Sequence, residues 1–400
     1  MTGRRQLPVA SPISAAALGG AFVDSLRGIK GRERVHAHAR QLVEREFTSR
    51  RAVLTDSGTA ALVLALRLAV PKNGVVGFPG YACVDLAAAA RFAGVRVRLY
   101  DIDPATLSPD LDSVRRMLKR GVDAIVVAHL FGYAADVPSV REIASSEGVI
   151  VIEDAAQGAG GSLRGRRLGS LGELAIVSFG RGKGLCASGG GALLARSEIG
   201  EDRWTASLRD IERSVPARGW SRLTKGAIQW ALGRPSLYAL PSMLPWLHLG
   251  EMVYHAASEP QPMPLASSAL IPSAFALEAS DLEVRGRHAA ALDAMAAEAH
   301  QVERVVPMTG AASGYLRYPV LDLSGRREIQ PALGVMRPYP RTLAEQPELR
   351  PVLVENEPAT PGASTLRRSL FTLPTHSYVG ESDLTGLAAW LGVRETQAGH

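Results

Sequence analysis

The sequence predicts an α/β protein in which a large domain is built on a mostly parallel, seven-stranded sheet and a smaller α+β domain follows. Three observations carry this. From about residue 33 to 196, short β-branched or apolar runs alternate with helical patterns, the signature of βαβ units. After Leu265 the alternation stops, and an Ala-rich helical stretch precedes only scattered strand-like runs. Composition adds the third: 46% hydrophobic and 21% charged residues suffice for a large core and exclude a disordered or fibrous chain.

The seven strands are expected at Ala52 to Leu54, Val75 to Phe78, Val95 to Tyr100, Ala124 to Ala128, Val149 to Glu153, Leu174 to Phe179 and Gly191 to Ala195. Between them the spacing predicts helices at Thr59 to Ala69, Val84 to Ala93, Leu111 to Lys119 and Val137 to Glu147. Asp110 is placed to cap the third of these. Asp136 caps the fourth, with Pro138 in its first turn.

From about 201 to 264 the pattern becomes aromatic and proline-punctuated, and it reads as an apolar insertion into a large domain covering 1–264. Its stretch from Ile228 to Glu251 holds Trp230, Tyr238, Trp246 and three prolines, which forbid a continuous helix. The plainer expectation is cover for the core or a subunit interface; the sharper one is contact with an apolar substrate or a membrane surface, which is not favoured. The small domain, 265–400, is expected to run as helix to about Val305, as strand over Gly314 to Leu323, as a Pro/Arg-rich loop near Arg337 to Arg341, and as a final helix from Ser382 to Leu391.

The formal net charge is +6, but 40 of the 45 basic residues are arginines scattered along the chain. That distribution reads as a compositional habit, and no nucleic-acid partner is expected. Two cysteines, Cys83 and Cys186, can build neither a disulfide framework nor a four-cysteine zinc site. A reducing, cytoplasmic setting is therefore expected. The apolar stretch from Ile13 to Leu18 is too short for a secretory signal, and no run of 18 apolar residues occurs.

Chemistry is sought where strands end, because ligands of parallel sheets bind beyond the carboxyl ends of the strands. The first such junction is Thr55-Asp56-Ser57-Gly58-Thr59-Ala60, where hydroxyl side chains and unpaired amides at a helix start make a seat for phosphate. It could equally be an ordinary capped turn. At the second, Glu153-Asp154-Ala155-Ala156-Gln157, carboxylates end a hydrophobic strand, which is costly unless a cation or donor meets them. A helix-capping or ion-paired Asp is the plain alternative. The third, Ser178-Phe179-Gly180-Arg181-Gly182-Lys183-Gly184, flanks a lysine with glycines that would not obstruct a bulky partner, and precedes the run Gly189-Gly190-Gly191. A desolvated lysine there would offer its amine to a carbonyl, whereas a solvated surface lysine would do nothing.

Other motifs fail. A Walker loop would need Gly at the position of Val177 and a hydroxyl at that of Gly184. His36 and His38 fall on different helical faces, so no zinc-protease pair exists and no metal site is expected.

Taken in this order, Ser57-Gly58-Thr59-Ala60-Ala61-Leu62, His129-Leu130-Phe131-Gly132, Glu153-Asp154-Ala155-Ala156-Gln157 and Ser178-Phe179 with Lys183 five residues after the serine resemble the DegT/StrS family of PLP-dependent sugar aminotransferases, of the fold-type I superfamily. The resemblance covers residues 5 to 196 well. Further on it is thin, with Leu373-Pro374-Thr375-His376 similar to a late family segment. It implies pyridoxal 5'-phosphate (PLP) as cofactor, a homodimer, and amino transfer from glutamate or glutamine to a keto group of a sugar nucleotide or related intermediate. It also implies roles. Lys183 would carry PLP and move the proton, Asp154 would keep the ring nitrogen protonated, and Gln157 would lie beside the ring. Ser178, Gly58 and Thr59 would hold the phosphate, and His129 would support the sheet edge rather than the chemistry.

Two departures stand out. Cys83 occupies the place of the family's ring-stacking aromatic, so either Cys83 packs on the ring or Tyr81 takes over. Pro260 to Ser268 offers neither the Asn nor the Arg of the family's Gly-x-Asn-x-Arg segment. These departures motivate two rival readings: a PLP enzyme for a lipid-like or carrier-linked carbonyl, and a non-catalytic regulatory member of the fold.

Overall fold

A computed structural model describes residues 5–196, 214–237 and 254–393, with 204–205, 208–209 and 211 between them. Tyr238 and Trp246 of the apolar insertion lie outside the described residues. The large sheet has seven strands in the spatial order β1-β9-β8-β5-β4-β2-β3. These are β1 Arg51–Thr55, β2 Val75–Pro79, β3 Arg96–Tyr100, β4 Ala124–Ala128, β5 Ile150–Asp154, β8 Leu174–Ser178 and β9 Gly191–Ala195. Neighbours from β3 to β8 pair in parallel, whereas β9 runs antiparallel to both β8 and β1. The expected seven-stranded, mostly parallel sheet is thus present.

Alternation along the strands sorts side chains onto two faces. Val53, Val76, Phe78, Val126, Ile152 and Ile176 meet α3 (Gly58–Ala69) and α4 (Asp85–Ala93) in one core. On the other face, Ile125, Val127 and Val151 meet α5 (Leu111–Lys119) and α6 (Val137–Ser145). Further along that face, Leu54, Ala175 and Val177 pack with α1 (Ala15–Ser25), α2 (Ile29–Glu46) and the start of a long helix at 265. The charged face of α2 and the Ala/Gly-rich α1 had concealed both helices in the sequence.

Helix α7 spans Trp220–Leu232, and α8 (Leu265–Glu298) continues through Pro272. Helix α8 ends seven residues before the expected Val305, because Val302–Arg304 forms strand β10. Its first half packs through Ala266, Leu270 and Ala274 in the core under the seven-stranded sheet. Its second half packs Ala289, Leu292 and Ala296 on a three-stranded antiparallel sheet of β10, β12 (Tyr318–Asp322) and β13 (Leu370–Leu373). Helices α9 (Pro361–Ser369) and α10 (Glu381–Leu391) complete this region. A small sheet, β11 (Ala311–Ala312) with β6 (Ser162–Leu163) and β7 (Arg166–Arg167), joins it to the loop after β5. Among the described residues no helix is long and apolar enough to cross a membrane.

Candidate active site

The carboxyl ends of β1, β4, β5 and β8 open on one cavity of about 240 Å³, lined by Ser57, Gly58, Thr59, Cys83, Asp154, Gln157, Ser178 and Lys183. All the site residues expected from the sequence therefore come together at this one place, although they span 127 positions of chain from Ser57 to Lys183.

At one end is the start of α3. Ser57 caps it by accepting from the amide of Ala60 at 3.1 Å, and the first-turn amides of Gly58 and Thr59 have no partner within the helix. A Cβ at Gly58 would stand 2.9 Å from Cβ of Ser178, so only glycine lets the helix start and the end of β8 meet. The hydroxyl of Ser178 accepts from the amide of Gly180 at 3.3 Å and stays within this corner. The corner has the makings of an anion seat: amides at a helix start, hydroxyls and room for close approach.

Asp154 ends β5 buried, accepting from the amide of Ala156 at 3.0 Å. Burial pushes its carboxyl above the usual range, while that amide and the charge of Lys183 pull against the push. Its neighbour Glu153 points to the opposite side of the sheet. There Oε1 meets Nε2 of His129 at 2.8 Å and the amide of Gly169, and Oε2 accepts from the amides of Leu171 and Gly172. Burial pushes Glu153 up, but these bonds outweigh it and hold the carboxyl below its ordinary range. Nδ1 of His129 accepts from the amide of Ala135 at 2.9 Å, so the ring proton sits on Nε2. His129 bonds Glu153 and also borders the cavity, and it follows the interior strand β4 and not, as expected, a strand at the sheet edge.

Gln157 is fixed at both ends of its amide: Oε1 accepts from the amide of Phe131 at 3.0 Å, and Nε2 donates to the hydroxyl of Tyr339 at 2.8 Å. Tyr339, which sequence reasoning missed, stacks on Phe131 with centroids 5.8 Å apart and meets Tyr81 edge-on at 5.1 Å. Tyr81 is buried behind Tyr339 and does not line the cavity; Cys83 does. Burial first, and then the nearby Asp85, push the Cys83 thiol well up, so it stays a neutral, polarizable side chain.

A second cavity of about 480 Å³ shares Gln157, Lys183 and Tyr339 with the first. The N-terminal arm (Leu7 to Ser11), the end of α7 (Ile228, Trp230, Leu232) and Arg317 and Arg337 complete its wall. His376 of the Leu-Pro-Thr-His segment lies behind that wall, with Nε2 donating to the carbonyl of Leu7 at 2.8 Å.

A lysine, a buried carboxylate and an anion seat thus meet in one cavity at the strand ends of this sheet. Residues 30–218 match the DegT/DnrJ/EryC1/StrS aminotransferase family. Over 178 residues it is 36% identical to L-glutamine:2-deoxy-scyllo-inosose aminotransferase of Streptoalloteichus tenebrarius, covering 43% of this chain and 40% of that one. Over 209 residues it is 30% identical to UDP-2-acetamido-2-deoxy-3-oxo-D-glucuronate aminotransferase of Pseudomonas aeruginosa, covering 49% and 57%. The matched stretch is thus about half the length of these relatives. The fold matches end to end: AtS13 from Actinomadura melliaura superposes with a TM-score of 0.72 at 20% identity over 98% of this chain and 99% of the other. DesI, solved with its TDP-sugar product, also gives 0.72 at 20% identity, over 98% and 93%.

Proposed function

We propose that this protein is a PLP-dependent aminotransferase that moves an amino group from an amino-acid donor, glutamate or glutamine, to a keto group of a sugar nucleotide or a related biosynthetic intermediate. It would work in the cytoplasm as a homodimer. One observation carries the reading: Lys183, Asp154 and the Ser57–Thr59 anion seat line the same cavity. The names of the relatives, which aminate keto sugars and a keto cyclitol, support the acceptor class.

Bound in this cavity, PLP supplies an electrophilic carbonyl and an electron-withdrawing ring. The residues of the chain do the rest. Gly58, Thr59 and Ser178 hold the phosphate with amides and hydroxyls. Asp154, costly as a buried anion alone, would meet the cofactor's ring nitrogen and hold a proton there. Gln157, locked by Phe131 and Tyr339, and Cys83 would line the place of the ring. Lys183 would hold the cofactor and serve as the base and acid that moves the proton.

Purified protein should show a visible band that borohydride abolishes, with the label on Lys183, and glutamate or glutamine should discharge it. Retention of both band and turnover in Lys183→Ala would overturn the proposal. A second reading has its own observation, the placing of Ile228, Trp230 and Leu232 on the larger cavity: the acceptor is a lipid-like or carrier-linked carbonyl. A screen of sugar nucleotides against long-chain aldehydes separates the two.

A further inference from the structure

We infer that Arg222, from helix α7, is the cationic closure of the phosphate seat and binds the cofactor phosphate from within the same chain. The inference rests on the PLP reading of the cavity but assigns a residue that no strand-end motif contains. Arg222 lines the smaller cavity at the end formed by Asp56, Ser57, Gly58, Gly189 and Gly190. Among the described lining residues, Arg222 and Lys183 are its lysine and arginine side chains.

The chain is built around this guanidinium. The hydroxyl of Ser188 donates to the carbonyl of Arg222 at 2.6 Å and pins this turn of α7 to the β8–β9 loop. Nη2 of Arg222 donates to the carbonyl of Asp56 at 3.1 Å, which fixes the fork beside the start of α3. Gly189, at φ 124°, is where a Cβ would fall 2.3 Å from Nη1 of Arg222, and Gly190 bridges to Ser57. The glycine run that stood out in the sequence thus lets one loop touch the anion seat and admit the guanidinium. The Asp56 carboxyl shares this end of the cavity. Burial pushes it up, and the amide of Gln261 and the charge of Arg222 pull against that.

A neutral carbonyl occupies one edge of a planar fork with five donors, and the rest of the fork suits phosphate oxygens. A guanidinium beside helix-start amides adds charge where amides alone add dipole.

The test uses the full chain stripped of cofactor and titrated with PLP and with pyridoxal, which differ at the 5' position by the phosphate alone. Arg222→Gln should weaken PLP binding about 10- to 100-fold, the loss of a charge-assisted bond, and leave pyridoxal unchanged. Arg222→Lys should recover part of the loss. Equal effects on both ligands, or no effect on PLP, would overturn the inference. If Arg222→Gln does not fold, phenylglyoxal labelling of the wild-type chain decides: PLP should protect Arg222 and pyridoxal should not. Wild-type protein that binds neither ligand would instead sink the cofactor reading itself, and with it this one.

Discussion

Nε2 of His129 donates to Oε1 of Glu153 across 2.8 Å, and both side chains are completely buried. One residue further along β5, Asp154 faces the cavity with Lys183. Two adjacent carboxylates are thereby given opposite tasks by the alternation of a strand. Four donors surround Glu153, so Glu153→Gln replaces an acceptor with an amide that must face N–H groups. It should lower stability by roughly 3–5 kcal/mol in urea unfolding, while folded protein keeps its visible band. Asp154→Asn should do the reverse. Stability holds or rises, because a buried anion is removed, and turnover falls roughly 100-fold or more. Equal effects of the two variants on stability would contradict this division.

The Gln157–Tyr339 bond joins a strand-end residue to a loop 182 positions away. Tyr339→Phe removes one acceptor, worth about 1 kcal/mol, and lets the Gln157 amide rotate off its position by the ring. The expected result is a kcat reduced roughly tenfold through lost orientation, with a small shift of the visible band. Tyr81→Phe is the control. Its hydroxyl reaches the Tyr339 carbonyl only at 3.4 Å and lies outside both cavities, so kcat should stay within about twofold.

How much of this was legible in the sequence follows from where each residue lies. Asp154 and Ser178 could be read because each ends an apolar strand, and Lys183 because glycines isolate it. Their convergence was implied by the rule that strand ends share one edge of a parallel sheet. Tyr339, Arg317 and Arg222 could not be read, since the first two arrive on loops and the third on a helix whose docking no local pattern encodes. Glu153 was legible as a costly carboxylate, but not its partner, because His129 reaches it only through the parallel register that sets Ala128 beside Asp154. Of the two alternatives for the missing aromatic, packing sets Tyr81 against Tyr339 and leaves Cys83 lining the cavity.

Arg317 lines the larger cavity together with Arg181, Lys183 and Arg337, and among the described residues that cavity has no carboxylate on its wall. Nε and Nη2 of Arg317 are shielded and have no hydrogen-bond partner among the described residues. Burial pulls its pKa down to about 10, against nearby Tyr339 and Tyr81, yet it remains a cation at neutral pH. A half-buried cation with unpartnered donors costs stability and favours an anionic ligand. Arg317→Met should therefore raise the melting temperature or leave it unchanged. Binding of succinate, an unreactive dicarboxylate, should weaken at least about tenfold by calorimetry. Destabilisation with unchanged succinate binding would assign Arg317 to structure alone.

His376 ties the N-terminal arm to the far side of the same cavity, and its burial makes the tie sensitive to acid. Burial pulls the ring's pKa from an ordinary 6.5 to about 4; His288 and Arg317 add to this, and the bond to the Leu7 carbonyl and Asp383 oppose it. Between those two values the unfolded chain takes up a proton that the folded chain refuses. Its contribution to stability is therefore complete above about pH 6.5, declines as pH falls, and is lost by about pH 4, a change on the order of 3 kcal/mol. His36, also pulled to about 4 by burial, works in the same direction, so the test must isolate His376. In His376→Gln the side-chain amide can still donate to the Leu7 carbonyl but cannot titrate. Urea unfolding at about pH 7.5 and about pH 4.5 should show a smaller loss for the variant than for the wild type. Hydrogen exchange of residues 6–13 should rise with acid in the wild type alone. Identical pH slopes for the two proteins would show that the arm is held by Gln6, whose Nε2 donates to Asp383 at 2.9 Å, without help from the histidine.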